Sequence, residues 1–146
     1  MLVDYMSFDD IKEVALIEKD NFTEPWSEES FKTALEKKDT IFLVAKSETD
    51  VLGYCGCYLA QDEADITNVA TAAKHRKKGV ATKLLLKLFG ICQQRQVEKI
   101  FLEVRESNES AINLYTKMGF EKIGIRKNFY VKPTENAIVM IKQFNQ

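Results

Sequence analysis

The sequence predicts an α/β (α+β) fold with a mixed, mostly antiparallel sheet of about seven strands, flanked by about four helices. Two observations carry this prediction. Segments 64–71, 82–94 and 100–104 follow one another as strand, amphipathic helix and buried strand, which is the order of a βαβ unit. Thr40–Lys46 and Val51–Ala60 are rich in apolar and β-branched residues and flank a polar turn, which predicts an antiparallel pair.

A short strand and two helices are predicted before this unit. Residues 2–6 alternate in polarity and predict the first strand. Ser7 and Asp10 form a capping box that opens a helix ending near Asp20. Ser27 caps a second helix. One face of the first helix is partly apolar and includes Ile11, Val14, Ala15 and Glu18.

A further helix and two strands are predicted after the βαβ unit. Ser107 or Asn108 caps this helix, because both residue types accept hydrogen bonds from unpaired N–H groups at helix starts. Gly119 ends it in the left-handed conformation. Segments 120–131 and 137–144 complete the sheet, and the loop between them is predicted to be short.

The composition is that of one ordinary globular domain. The chain has 146 residues, 45% of them hydrophobic, and we expect a single domain over residues 1–146. Its 21 basic and 22 acidic side chains give a net charge of −1, which argues against a protein that contacts nucleic acid directly. No apolar run approaches the length of a bilayer span and no leader follows Met1, so we expect neither a membrane partner nor export.

The cysteine and histidine content indicates a cytoplasmic protein without a metal site. Three cysteines, Cys55, Cys57 and Cys92, are an odd number without paired spacing, and we expect free thiols in a reducing cytosol. Cys55 and Cys57 share one face of a strand and are predicted to be core or half-buried. His75 is the only histidine, so no metal-ligand cluster is predicted.

A basic loop precedes the predicted helix 82–94. Its residues are Lys74-His75-Arg76-Lys77-Lys78-Gly79. A helix N-terminus carries partial positive charge, so cations there are unfavourable unless an anion lies among them. Gly79 has no side chain, and an anion could approach its backbone closely. We interpret the segment as a phosphate-binding loop; a solvated basic loop and a nucleic-acid patch remain alternatives.

Two residues are candidates for proton transfer. Glu103 lies inside the apolar segment 100–104, where desolvation should raise the pKa of a carboxyl group towards the range useful for a general base. The alternative is a structural glutamate paired with Arg105 or a lysine. Tyr115 follows on the next helix, and its hydroxyl could donate a proton at a cleft; the alternative is a core tyrosine.

Two motifs resemble the GNAT acetyltransferases. Arg76-x-x-Gly79-x-Ala81, between a predicted strand and helix, resembles the family's acetyl-coenzyme A loop. The second motif resembles the bacterial ribosomal-protein-alanine N-acetyltransferases, and it reads Leu102-Glu103-Val104-Arg105-x-Ser107-Asn108-x-x-Ala111-Ile112-x-Leu114-Tyr115-x-x-x-Gly119-Phe120. Three further blocks share this resemblance: Pro25-Trp26-Ser27, Arg126-Lys127-Asn128-Phe129-Tyr130 and Ala137-Ile138-x-Met140.

The resemblance implies a donor site and a pair of catalytic residues. The family's base maps to Glu103 and its acid to Tyr115. Asn108 would contact the coenzyme arm. The pyrophosphate of acetyl-coenzyme A would be held by Arg76, Lys77, Lys78, Gly79, Val80, Ala81 and Thr82. The pantetheine arm would pair, as an extra strand does, with Asn68, Val69, Ala70 and Thr71.

The resemblance also implies an acceptor, the N-terminal alanine of a small-subunit ribosomal protein. An α-amino group has a pKa near ~7.7–8.0 against ~10.4 for lysine, so a modest base suffices for it. Trp26 and Tyr130 are candidates for walls of the acceptor groove, with core or hinge packing as the alternative. Two other functions remain open: acetylation of a lysine, polyamine or other small amine, and a non-catalytic RNA- or ribosome-binding module.

Overall fold

A computed structural model describes residues 1–144; residues 145 and 146 of the predicted domain lie outside the described part. Seven strands and four α-helices are formed by these residues. The strands are β1 (Leu2–Tyr5), β2 (Thr40–Lys46), β3 (Val51–Ala60), β4 (Glu63–Thr71), β5 (Lys99–Arg105), β6 (Glu121–Val131) and β7 (Thr134–Gln143). The helices are α1 (Ile11–Asn21), α2 (Glu28–Leu35), α3 (Val80–Gln94) and α4 (Glu109–Lys117).

All strands join one sheet in the order β1-β2-β3-β4-β5-β7-β6. Every neighbouring pair is antiparallel except β4 and β5, which are joined by the α3 crossover and run parallel. The β4–β5 pairing covers three residue pairs and stops at Asp65 and Phe101. The predicted fold class, a mixed and mostly antiparallel sheet with about four helices, is confirmed.

Helices cover both faces of the sheet. On one face α3 buries an apolar stripe against the central strands, and Ala111, Ile112 and Leu114 of α4 pack against the same core. On the other face α1 and α2 bury Val14, Phe31 and Ala34 completely. These positions follow the helical spacing of the sequence, since a helix can bury only one face against a sheet.

Local hydrogen bonds set the predicted helix ends. The Asp10 carboxylate accepts from the backbone N–H of Ser7 at 2.9 Å, so the capping box forms. A short 3-10 turn, Phe8–Asp10, precedes α1. Asn108, and not Ser107, caps α4, because its Oδ1 accepts from the N–H of Ala111 at 3.2 Å.

Two element starts differ from the prediction by two residues or more. Helix α3 begins at Val80 and not at residue 82, because Gly79 adopts φ +78° and serves as the residue before the helix. Strand β7 begins at Thr134 and not at residue 137, because the hairpin with β6 continues to the turn. That turn contains only Lys132 and Pro133, so the predicted short loop is shorter than expected.

The three cysteines are free and buried. None of the helices that the structure describes has the length and apolarity to cross a bilayer. Within residues 1–144, no group of three or more His, Cys, Asp or Glu side chains is arranged to hold a metal ion.

Gly53 lets β3 approach the start of α3 closely. A methyl group there would lie 2.7 Å from the Ala70 carbonyl oxygen and 2.9 Å from a Val80 methyl carbon. We expect Gly53→Ala to lower the free energy of unfolding by about 1–3 kcal/mol, as overpacking does. Denaturant unfolding measures this. Gly90→Ala is the matched control: nothing lies within 4 Å of that position on α3, and it should stabilise by about 0.5–1 kcal/mol. Equal midpoints for Gly53→Ala and the parent would contradict the expectation.

Candidate active site

A cavity of about 370 Å³ opens where β4 and β5 stop pairing. One wall is formed by β4 and the opposite wall by β5, and α4 and the α1–α2 connection close the sides. Seven of the residues predicted for the site line this cavity: Trp26, Asn68, Val69, Glu103, Asn108, Tyr115 and Tyr130. Residues far apart in the sequence are therefore brought together by the gap in the sheet.

Glu103 is a partly buried carboxylate in this cavity. Burial raises its pKa, the negative charge of Asp65 raises it further, and Arg126 acts in the opposite direction. The Arg126 Nε lies 3.5 Å from the Glu103 carboxylate, and the two side chains are 60% and 22% exposed. Arg105, considered above as a partner, is instead bound to Glu135. The predicted desolvation of Glu103 is present.

Tyr115 lies on α4 and is almost completely enclosed. Its ring packs against Phe120 with centroids 5.8 Å apart. Burial raises the pKa of its hydroxyl, with a smaller contribution from Cys55. The group is therefore a hydrogen-bond donor throughout the neutral range. Tyr115 belongs to the core, as the alternative reading held, and it also lines the cavity.

The edge of β4 that faces the gap is available for pairing. Ala70 and Thr71 pair with β3 on one side, while the described pairs with β5 end at Asp65. The Asn68 side chain donates to Glu18 at 3.4 Å and accepts from the Thr67 hydroxyl at 2.6 Å. Because that side chain is engaged, the β4 segment would meet a ligand mainly through its backbone.

The basic loop lies directly after β4, outside the cavity lining. Lys77 and Gly79 adopt positive φ angles of 63° and 78°. Because Gly79 has no side chain, no cap covers the first N–H groups of α3. A Cβ atom at this position would meet nothing within 4 Å. Arg76, Lys77 and Lys78 are exposed. The loop and the N-terminal N–H groups of α3 therefore form an open, positively charged surface suited to a phosphate group.

Trp26 and Tyr130 both line the cavity, and they come from different parts of the chain, the α1–α2 connection and β6. The Trp26 ring also packs against Phe31 and Phe42, with centroid distances of 5.1 Å and 5.8 Å. Trp26 is therefore both a wall of the cavity and part of the core. The Tyr130 ring lies 4.4 Å from the Arg105 guanidinium. Burial, followed by the charge of Glu103, raises the pKa of the Tyr130 hydroxyl.

Sequence reasoning missed Glu18, a buried carboxylate at the cavity. It accepts from the Tyr54 hydroxyl at 2.5 Å and from the Trp26 N–H at 3.1 Å, so it anchors the connection between α1 and α2. A signal was present, because Glu18 lies on the apolar face of its helix, where a lone carboxylate needs buried partners.

Arg105 was also missed as a site residue. Its guanidinium donates to the Glu135 carboxylate at 3.0 Å and to the carbonyl oxygens of Pro133 and Lys132 at 3.0 and 3.1 Å. It thereby holds the β6–β7 turn beside the cavity and supports the Tyr130 ring. No local sequence pattern marks these contacts, because the partners lie on different strands.

The arrangement provides a proton acceptor and a proton donor in one cavity. A carboxylate with a raised pKa accepts protons near neutral pH more effectively than a free one, and a tyrosine that stays protonated can donate. The adjacent strand edge and the basic loop suit a long ligand with amide groups at one end and phosphates at the other.

Comparison with known proteins gives the same answer as the motifs. Residues 11–120 match the Acetyltransferase (GNAT) family. A Bacillus subtilis protein is 35% identical over 142 residues, which are 97% of this chain and 94% of its own length. The [ribosomal protein bS18]-alanine N-acetyltransferase of Haemophilus influenzae is 36% identical over 136 residues, 90% of each chain.

A solved structure agrees with this result. The crystal structure of the ribosomal-protein-S18-alanine N-acetyltransferase from Escherichia coli superimposes with a TM-score of 0.91 at 26% identity, covering 99% of this chain and 94% of its own. The resemblance inferred from the motifs is confirmed. This chain belongs to the GNAT family of acetyltransferases.

Proposed function

We propose that this chain, acting as one domain, transfers an acetyl group from acetyl-coenzyme A to the N-terminal alanine of ribosomal protein bS18. The observation that carries the proposal is the cavity between β4 and β5, where Glu103 and Tyr115 lie beside an open strand edge. The names of the Haemophilus influenzae and Escherichia coli relatives support the choice of acceptor. An acceptor on the ribosome implies that the chain acts in the cytoplasm.

Two features support coenzyme A as the donor, one for its diphosphate and one for its pantetheine arm. The open backbone at Gly79 and the positive start of α3 favour the diphosphate, with the loop residues Arg76 to Thr82 around it. The β4 edge from Asn68 to Thr71 offers backbone groups to the amides of the pantetheine arm, as another strand would. The side-chain oxygen of Asn108 caps α4, and its amide nitrogen can donate a hydrogen bond to the same arm.

The residues of the cavity then have separate chemical tasks. Acetyl-coenzyme A, when bound, supplies an activated acyl group. Glu103 accepts the proton that the acceptor amine must lose, directly or through one water. Tyr115 donates a hydrogen bond to the leaving sulfur, since its hydroxyl stays protonated. A backbone N–H between Val69 and Thr71 stabilises the carbonyl oxygen.

The acceptor enters between Trp26 and Tyr130. Both rings line the cavity and neither belongs to the donor edge of β4. Glu18 and Arg105 hold these two walls through the contacts described above. A peptide N-terminus reaching Glu103 therefore passes between two aromatic walls, each of which is fixed by a charged residue.

The first prediction concerns the donor loop. Gly79→Glu places a carboxylate where the diphosphate binds, and we expect the affinity for coenzyme A to fall at least about tenfold (~1.4 kcal/mol). Isothermal titration calorimetry measures this. Gly90→Glu makes the same change at an open position within α3 and should bind normally. Normal binding by folded Gly79→Glu would reject the loop as the diphosphate site.

The second prediction separates the base from the acid. Glu103→Gln removes the proton acceptor, and we expect kcat to fall by roughly 10²–10⁴-fold with coenzyme A affinity retained. Tyr115→Phe removes only the hydroxyl and should also lower kcat in a folded protein. In the parent enzyme, activity should fall with decreasing pH as Glu103 becomes protonated. Glu98→Gln, an exposed change just before β5, is the control. Full activity of Glu103→Gln across neutral pH would contradict the role of Glu103 as the base and would favour a structural role.

The third prediction concerns the acceptor. Tyr130→Ala and Trp26→Ala should raise KM for a peptide beginning with alanine, because each removes a wall, while KM for acetyl-coenzyme A stays near its parent value. Steady-state kinetics with both substrates measure this, and thermal unfolding checks each fold. Acetylation of a peptide whose α-amine is blocked and whose lysines are free would favour the lysine or small-amine alternative instead.

A further inference from the structure

The side chain of Asn21 connects three elements beside the cavity. Asn21 is the last residue of α1. Its Nδ2 donates to the carbonyl oxygens of Ile17 at 2.8 Å and Thr71 at 3.3 Å. Its Oδ1 accepts from the Arg76 Nη2 at 2.7 Å. One carboxamide therefore ties the end of α1 to the last residue of β4 and to the basic loop.

The partners of this carboxamide determine its orientation. The two backbone carbonyls can only accept hydrogen bonds, and the guanidinium of Arg76 can only donate them. A flipped amide would oppose like groups at all three contacts. Asparagine thus matches the position, whereas an aspartate would set a carboxylate against two carbonyl oxygens and an alanine would make none of the contacts.

Arg76 is the loop residue that this arrangement holds. It lies in the exposed segment between β4 and α3 and carries five N–H donors, one of which Asn21 engages. The remaining donors are left for an anion, and a guanidinium binds phosphate oxygens in a planar, two-pronged geometry. A guanidinium already held by one bond loses less conformational freedom when an anion binds.

We propose that Asn21 is a positioning residue for the acyl donor, which holds the Arg76 guanidinium at the end of β4, ready for the diphosphate of coenzyme A. The inference rests on the proposed function, because it takes the basic loop as the diphosphate site. Asn21 also lines the cavity. The donor loop and the α1–α2 wall of the acceptor side are therefore joined through one side chain.

A double-mutant cycle on coenzyme A binding tests the proposal. Calorimetry is performed on the parent, Asn21→Ala, Arg76→Met and the double variant. We expect Asn21→Ala to weaken binding about fivefold to tenfold and Arg76→Met to weaken it at least as much. The double variant should bind no more weakly than Arg76→Met, because Asn21 acts through Arg76. In turnover assays the loss should appear in KM for acetyl-coenzyme A and not in kcat.

Thermal unfolding separates positioning from a structural role. Asn21 also closes the last turn of α1, so Asn21→Ala should lower Tm both in the parent and in the Arg76→Met background. The loss of affinity, in contrast, should be absent in the Arg76→Met background. Asn21→Ser, which keeps a polar group too short to reach Arg76, is a second variant and should give the same pattern.

The outcomes distinguish this inference from the proposed function. Unchanged affinity in folded Asn21→Ala and Asn21→Ser, or losses that simply add in the double variant, would overturn the role of Asn21. If Gly79→Glu also bound coenzyme A normally, the loop would not be the diphosphate site, and the proposed donor site would be overturned as well. Loss of binding in Gly79→Glu with normal binding in Asn21→Ala would leave the donor site standing and remove only the positioning role.

Discussion

The site depends on the point at which β4 and β5 stop pairing. Three residue pairs join these parallel strands, and beyond them each strand keeps one neighbour, β3 for β4 and β7 for β5. A gap in a sheet leaves backbone groups without partners, which is unfavourable inside a protein unless something else binds them. Here the gap becomes the cavity, so the cost of an incomplete sheet coincides with the place where the chemistry is proposed.

The two glutamates that line the cavity, Glu18 and Glu103, have different partners. Glu18 is surrounded by donors from Tyr54, Trp26 and Asn68, and it is fixed in place. Glu103 faces the exposed Arg126 at 3.5 Å and is partly open to the cavity. Three hydrogen-bond donors hold the Glu18 carboxylate, whereas one ion-pair partner faces the Glu103 carboxylate. The two glutamates of this cavity therefore differ in how firmly their partners hold them.

The elements and several residues that line the cavity could be predicted from the sequence, and the contacts that support them could not. A carboxylate within an apolar strand is visible in the sequence, which is why Glu103 was identified. The start of α3 was misplaced by two residues, because the left-handed conformation of Gly79 depends on the chain path around it. The contact of Asn21 with Arg76 and that of Arg105 with Glu135 join distant segments, and no local spacing encodes such pairs.

The three buried cysteines can be used to follow the opening of the core. Cys55, Cys57 and Cys92 have no exposed surface and lie between the sheet and α3. Burial raises the pKa of the Cys55 thiol, and the reactive form of a thiol is the thiolate. A thiol reagent therefore reaches them only when the sheet and α3 separate. The rate of cysteine labelling therefore measures how often this core opens, and the measurement needs neither a ligand nor an activity assay.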